Sequence, residues 1–177
     1  MRIELSAWLQ QIHAWHEFYV LVGTSVAALT GLMFVVVSIG PEIIASRPTS
    51  GVRAFVTPTV VYFTTVLVTS AVMIMPHVGP VVLASLLLLG GGAGVAYMLW
   101  IGVHKQWRQS KLELDDWIWY VALPTLGYVL MLAASIGVWM RSAFGPFALG
   151  AAMILLTVVG IRNAWDLVIF LALKRKP

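Results

Sequence analysis

Residues 81–103 read VVLASLLLLGGGAGVAYMLWIGV, an unbroken run without a charged side chain or a proline. At 1.5 Å per residue it makes a helix of roughly 34 Å, enough to cross the roughly 30 Å hydrocarbon core of a bilayer. In hydrocarbon each backbone N–H and C=O must be paired within its own segment, so the run has to be helical there. Gly79 and Pro80 open it, and His104 and Lys105 close it.

Four other stretches meet the same length. They cover about 18–40, ended by Pro41 and Glu42; 54–75, between Arg53 and Pro76; 117–140, between Asp116 and Arg141; and 147–173, the longest, which alone has charges in its interior. The expected fold class is all-α, a polytopic bundle of five transmembrane helices. An external interfacial helix is expected over 1–17 and a basic cytoplasmic tail over 174–177. The short turns at 76–80 and 141–146 tie the second span to the third and the fourth to the fifth as antiparallel hairpins. No sequence repeat is evident, and an odd span count disfavours two equal inverted halves.

Composition points the same way. Of 177 residues, 60% are hydrophobic and 10% charged, whereas soluble domains carry about 25% charged residues. The formal charge of +4 is not a nucleic-acid signal, because Lys and Arg sit between apolar blocks instead of on one wet surface. The expected partner is the lipid bilayer. With no cysteine, disulfides, thiolate metal sites and Cys nucleophiles are excluded. Residues 1–17 include Arg2, Glu4, His13, His16 and Glu17 and lack the apolar core and cleavage site of a removable signal.

Lys and Arg concentrate in short cytoplasmic loops. Loop 41–53 carries Arg47 and Arg53, loop 104–116 carries Lys105, Arg108 and Lys111, and the tail carries Lys174, Arg175 and Lys176. The opposite face has Arg2 and Arg141. This asymmetry predicts an external amino terminus and a cytoplasmic carboxyl terminus. Trp117, Trp119 and Tyr120 then mark the inner interface, and Trp139, Phe144 and Phe147 the outer one.

Candidate functional residues are those that hydrocarbon tolerates badly. Arg162, Asn163 and Asp166 lie inside the last span, where a charge costs about 2.5–3.5 kcal/mol even on insertion scales. Arg162 and Asp166 are four apart and share a helix face. They form either a structural ion pair or a gate or ion site, near mid-membrane or in the inner third. Tyr62, Thr65 and Thr69 make a hydroxyl stripe on the second span above Pro58, and Pro124, Thr125, Tyr128 and Ser135 lie on the fourth. These hydroxyls either line a narrow polar path or bond back to carbonyls of their own helices.

Small residues are expected to serve helix packing. Gly23, Ala27 and Gly31 recur every four positions, and Gly90, Gly91, Gly92 and Gly94 cluster in the third span. Such residues let backbones approach closely, within one chain or between copies; the third-span cluster is alternatively a hinge. In the amino-terminal segment Trp8, Ile12, Trp15 and Tyr19 fall on one side of a helix and His13, His16 and Glu17 on another. With His77 on the same side of the membrane, these imidazoles and the carboxylate are candidates for metal binding or pH sensing, or simply for interfacial polarity.

Enzymatic chemistry and cofactors are not expected. The spans hold no histidine pair for a b-type haem and no lysine for a retinal Schiff base, and neither H-E-x-x-H nor G-x-S-x-G occurs. Asp166 is the only acid well inside a span, which argues against a carboxylate dyad. Residues 18–35, FYVLVGTSVAALTGLMFV, and 161–168, IRNAWDLV, resemble segments of a group of small, uncharacterised bacterial multi-pass inner-membrane proteins. That resemblance implies a bacterial inner-membrane address and no particular activity. The functional expectation is a small homo-oligomeric channel or transport protein; the alternative is a non-catalytic subunit or assembly factor that binds a membrane-protein partner.

Overall fold

The computed structural model describes residues 8, 10, 12–39, 49–76, 78–104 and 117–172. Among them are five long helices: α1 (His16–Ile39), α2 (Thr49–Ile74), α3 (Pro80–His104), α4 (Leu123–Trp139) and α5 (Phe144–Ala172). A π-helical turn at Ile118–Ala122 leads into α4. Each helix, α4 together with its π turn, contains a stretch of 19 to 26 residues long and apolar enough to cross a membrane. Residues 40–48 and 105–116, the basic tail and His77 lie outside the described residues, while the part of the expected loop 41–53 from Thr49 onward, Arg53 included, is helical and opens α2.

Burial is arranged as a bilayer requires. Leu21, Leu32, Phe34, Leu89, Leu99 and Trp139 are each more than 60% exposed, while Thr59, Ser70 and Asn163 are almost fully buried. A water-soluble monomer rarely shows so large an apolar surface.

The last helix is the centre of the bundle. More than half of α5's apolar stretch, 56%, is buried, against 17% for α1. Its Leu149, Met153, Leu156, Val159 and Leu167 are inaccessible. One side of α5 packs on α4, where a methyl group on Gly137 would come within 2.6 Å of the Gly145 Cα. The other side packs on α2, with Phe63 filling the space beside Gly160. Helix α1 lies outside α2, and the turn that precedes it reaches α5, where Trp15 meets Phe147 edge to face at 4.8 Å. Helix α3 packs against α4, so the lateral order is α3, α4, α5, α2, α1.

The turn between α4 and α5 closes a tight hairpin. The N–H of Ser142 donates to the Gly137 carbonyl at 2.8 Å and that of Arg141 to the Val138 carbonyl at 3.0 Å, the paired bonds of a helix end whose next residue is left-handed. Arg141 takes that conformation with φ 55°.

The other expected hairpin is different. Helices α2 and α3 are joined by a short turn yet make few contacts. The packing surface of α3 is already occupied by α4: a methyl on Gly90 would meet the Met131 Cε at 2.9 Å, one on Gly91 the Leu132 Cδ2 at 3.0 Å, and one on Gly94 would fall inside the Tyr128 ring. Shape complementarity with α4 therefore outweighs sequence adjacency with α2. The first-span glycine line also needs correction. Gly23 abuts Ser70, with its methyl position 2.8 Å from the Ser70 Cβ. Ala27 and Gly31 are exposed, and nothing lies within 4 Å of a methyl on Gly31, because α1 meets α2 with only part of its circumference.

Candidate functional site

The polar residues singled out in the spans fall into two separate groups. Thr65 and Thr69 of α2 face the space left open by α3, together with Tyr128 of α4, whereas Tyr62 is buried beside it. Arg162 and Asp166 of α5 gather with Trp119 and Tyr120 at the start of α4. The two groups share no cavity among the described residues.

Divergence of α2 from α3 creates a crevice of about 400 Å³, walled by Val61, Thr65, Val68 and Thr69 on one side and Leu87, Gly90, Gly94 and Tyr97 on the other, with Tyr128 and Met131 behind. This is within the usual size range of small-molecule sites, roughly 300–1,000 Å³. No charged residue lines it. The Thr65 hydroxyl bonds back along its own helix, donating to the Val61 carbonyl at 2.8 Å, and also lies 3.4 Å from the Tyr128 hydroxyl. At the end nearer His104, the Tyr62 hydroxyl contacts the Met98 Sδ at 3.7 Å and its ring lies 6.3 Å from that of Tyr128. Tyr62 is fully buried there and is not part of the crevice wall.

Toward the other end of the bundle the crevice adjoins a second cavity of about 520 Å³, and Val72 borders both. The second cavity lies between the amino-terminal segment and the α2–α3 turn, with Trp8, His13, His16, Met75, Pro76 and Leu83 among its walls. Trp8 is buried, Ile12 and Trp15 are half-buried, and His13, His16 and Glu17 are exposed, so the segment rests on the bundle by its aromatic side. Its helix is interrupted by a turn at Trp15 before α1 begins. Among the described residues no three His, Cys, Asp or Glu side chains gather as a metal site; Glu17 is not part of the cavity wall.

The ion-pair group depends on the π turn. Pro124 cannot donate a backbone hydrogen bond, and its ring would clash with the carbonyl four residues earlier in a regular α-helix. The ladder instead widens by one residue, with the Leu123 N–H bonded to the Ile118 carbonyl. Consecutive residues Trp119 and Tyr120 then both reach α5. Tyr120 donates to Asp166 Oδ2 at 2.6 Å, Arg162 Nε donates to the same oxygen at 3.3 Å, and the guanidinium carbon stands 5.1 Å from the centre of the Trp119 ring. Because Tyr120 lies at the first turn of the Ile118–Trp139 stretch, the pair sits near a helix end and not at mid-bundle. Arg162 remains 42% exposed and Asp166 22%.

Asn163 is different again. It is 1% exposed, and neither its amide nitrogen nor its oxygen has a hydrogen-bond partner. An unmatched buried polar group costs about 1–3 kcal/mol. Asn163→Leu, of similar volume, should therefore raise the thermal midpoint in detergent, with a gain on the order of 1 kcal/mol. A clear loss of stability would show that the amide bonds to something beyond the protein chain.

Sequence reading missed Met98 as the contact of Tyr62, Tyr97 as a crevice wall, and Tyr120 as the partner of Asp166. Pro124 three residues after Val121 was an available signal for an irregular turn, and the aromatic pair before it a signal for what that turn presents. No protein-family model matches the chain, nor do the curated proteins or solved structures compared with it.

Proposed function

We propose that the chain is a multi-pass protein of a bacterial inner membrane, with its amino terminus outside and its carboxyl terminus in the cytoplasm, that works as a small transport protein. Its substrate path begins in the crevice between α2 and α3. The observation that carries this reading is the pair of adjoining cavities bordered by Val72, one at the His16 end of the bundle and one deep among hydroxyls. The tight packing around α5 argues against an aqueous pore along the bundle axis and for a path along its side. The mainly apolar walls suit a substrate with a large apolar surface.

Proteoliposomes test the reading. Purified protein should accelerate movement of a fluorescent single-chain lipid across the bilayer, and Val68→Trp, which narrows the crevice, should slow it several-fold. Equal rates with and without protein, together with no ion flux, would remove the transport reading. Reporter fusions after Pro177 and within 105–116 should read cytoplasmic, and one before Trp8 external; a cytoplasmic amino terminus would overturn the orientation.

A second reading, a non-catalytic subunit of a larger membrane complex, draws on the exposed Ala27 and Gly31 of α1, the least buried helix. Co-purification of a stoichiometric partner, lost with Gly31→Leu, would favour it. A uniform homo-oligomer with no partner would count against it.

A further inference from the structure

We propose that the two adjoining cavities are one binding site for an anionic amphiphile, a phosphate-headed lipid whose head meets His13 and His16 and whose hydrocarbon chain runs down between α2 and α3. The proposal rests on the reading of the crevice as a substrate path and narrows it to a ligand class.

Polarity is graded along the site. Among the described residues, the cavity at the His16 end has His13 and His16 as its two titratable side chains and no acid in its wall. Each imidazole offers an N–H to an oxygen acceptor in either tautomer. Three residues apart, the two rings lie on neighbouring positions of the helix surface, although the turn at Trp15 separates them. Trp8 supplies a further donor: its ring lines this cavity, and its indole N–H is buried with no partner. Beyond Val72 the walls carry no charge, so a charged head is kept at the outer mouth and only its chain goes deeper. This avoids burying an ion in hydrocarbon.

Dimensions fit as well. Along α2 the two linings extend from Val61 to Met75, roughly 21 Å at the helical rise. That accommodates an extended chain of about a dozen carbons at ordinary C–C bond lengths, with room for the head. A chain lying between α2 and α3 would cover the exposed Val68, with Leu87 and Met131 forming the floor beneath it. At the far end the lining reaches Val61 and Tyr97.

The experiment is equilibrium binding of radiolabelled dodecyl phosphate to the full chain purified in a maltoside detergent. Saturable retention of one probe per chain is expected. Dodecanol, the chain without the anion, and inorganic phosphate, the anion without the chain, should each compete at least about tenfold more weakly than unlabelled dodecyl phosphate, since a hydrogen bond to a charged group is lost in the first case and the buried chain in the second. His13→Gln with His16→Gln should weaken binding about tenfold, in keeping with lost charge-assisted bonds. Val68→Trp should weaken it as much while leaving the mouth unchanged.

Both positions are exposed, and an unchanged thermal midpoint confirms that the variants fold. No saturable retention, inorganic phosphate competing as well as the probe, or full affinity in the double histidine variant would overturn the proposal. Binding with this selectivity but no lipid movement in proteoliposomes would remove the transport reading and leave the site standing. Lipid movement indifferent to the head group would do the reverse.

Discussion

Gly94→Ala should destabilise the protein by about 3 kcal/mol, the upper part of the usual range for overpacking a core, while Gly92→Ala two positions away should be neutral or stabilising. Alanine is the better helix former by about 1 kcal/mol, and at Gly92 nothing lies within 4 Å to oppose the added methyl. At Gly94 the same methyl would fall inside the Tyr128 ring. Tyr128 cannot swing aside: it is completely buried, with the Tyr62 ring 6.3 Å away and its hydroxyl 3.4 Å from Thr65. Thermal unfolding in detergent should therefore give opposite signs for two identical substitutions on one helix. Adding Tyr128→Ala to Gly94→Ala should recover part of the loss, showing coupling between them. Equal effects at positions 92 and 94 would mean that α3 and α4 do not meet through this face.

Asp166→Ala should be the most damaging change at the ion pair, at about 2 kcal/mol, as expected when hydrogen bonds to a charged group are lost. Both Tyr120 and Arg162 donate to one carboxylate oxygen, so removing it disturbs two side chains at once. Arg162→Gln should cost less. Arg162 is 42% exposed, and screening weakens pairs that water or headgroups reach. Tyr120→Phe removes one bond and should cost about 1 kcal/mol. The double variant Arg162→Gln with Asp166→Asn keeps size and hydrogen-bonding capacity without charge, and should lie nearer the native protein than Asp166→Ala does. Additive losses in the Arg162 and Asp166 cycle would show that the two side chains act independently.

The helices were legible because hydropathy is a property of each stretch alone. Runs such as 81–103 have one conformation open to them in lipid whatever surrounds them. Neighbour relations were not legible, because glycines at four-residue spacing announce close approach without naming the partner. Gly90 and Gly94 are filled by Met131 and Tyr128 of α4, whereas Gly31, with the same spacing signal, meets nothing among the described residues. The pairing of Arg162 with Asp166 followed from one helix turn. Its position near the start of α4 did not, because Tyr120 is 46 residues from Asp166 in sequence and reaches it through a π turn. The crevice was hinted at by Thr65 and Thr69, but its existence depends on α3 choosing α4 over α2.

The central place of α5 bears on how the molecule is made. Synthesis runs from the amino terminus, and segments fold as they emerge. When α4 leaves the ribosome, α1 and α2 can dock together and α3 can dock on α4, yet these two pairs have little to hold them to each other. The surfaces of α2 around Phe63 and of α4 around Gly127 and Gly137 wait for a helix that is still being translated. Assembly of the whole is thus postponed to the final segment, and a nascent chain halted before Phe144 would hold two helix pairs with their future inner faces uncovered.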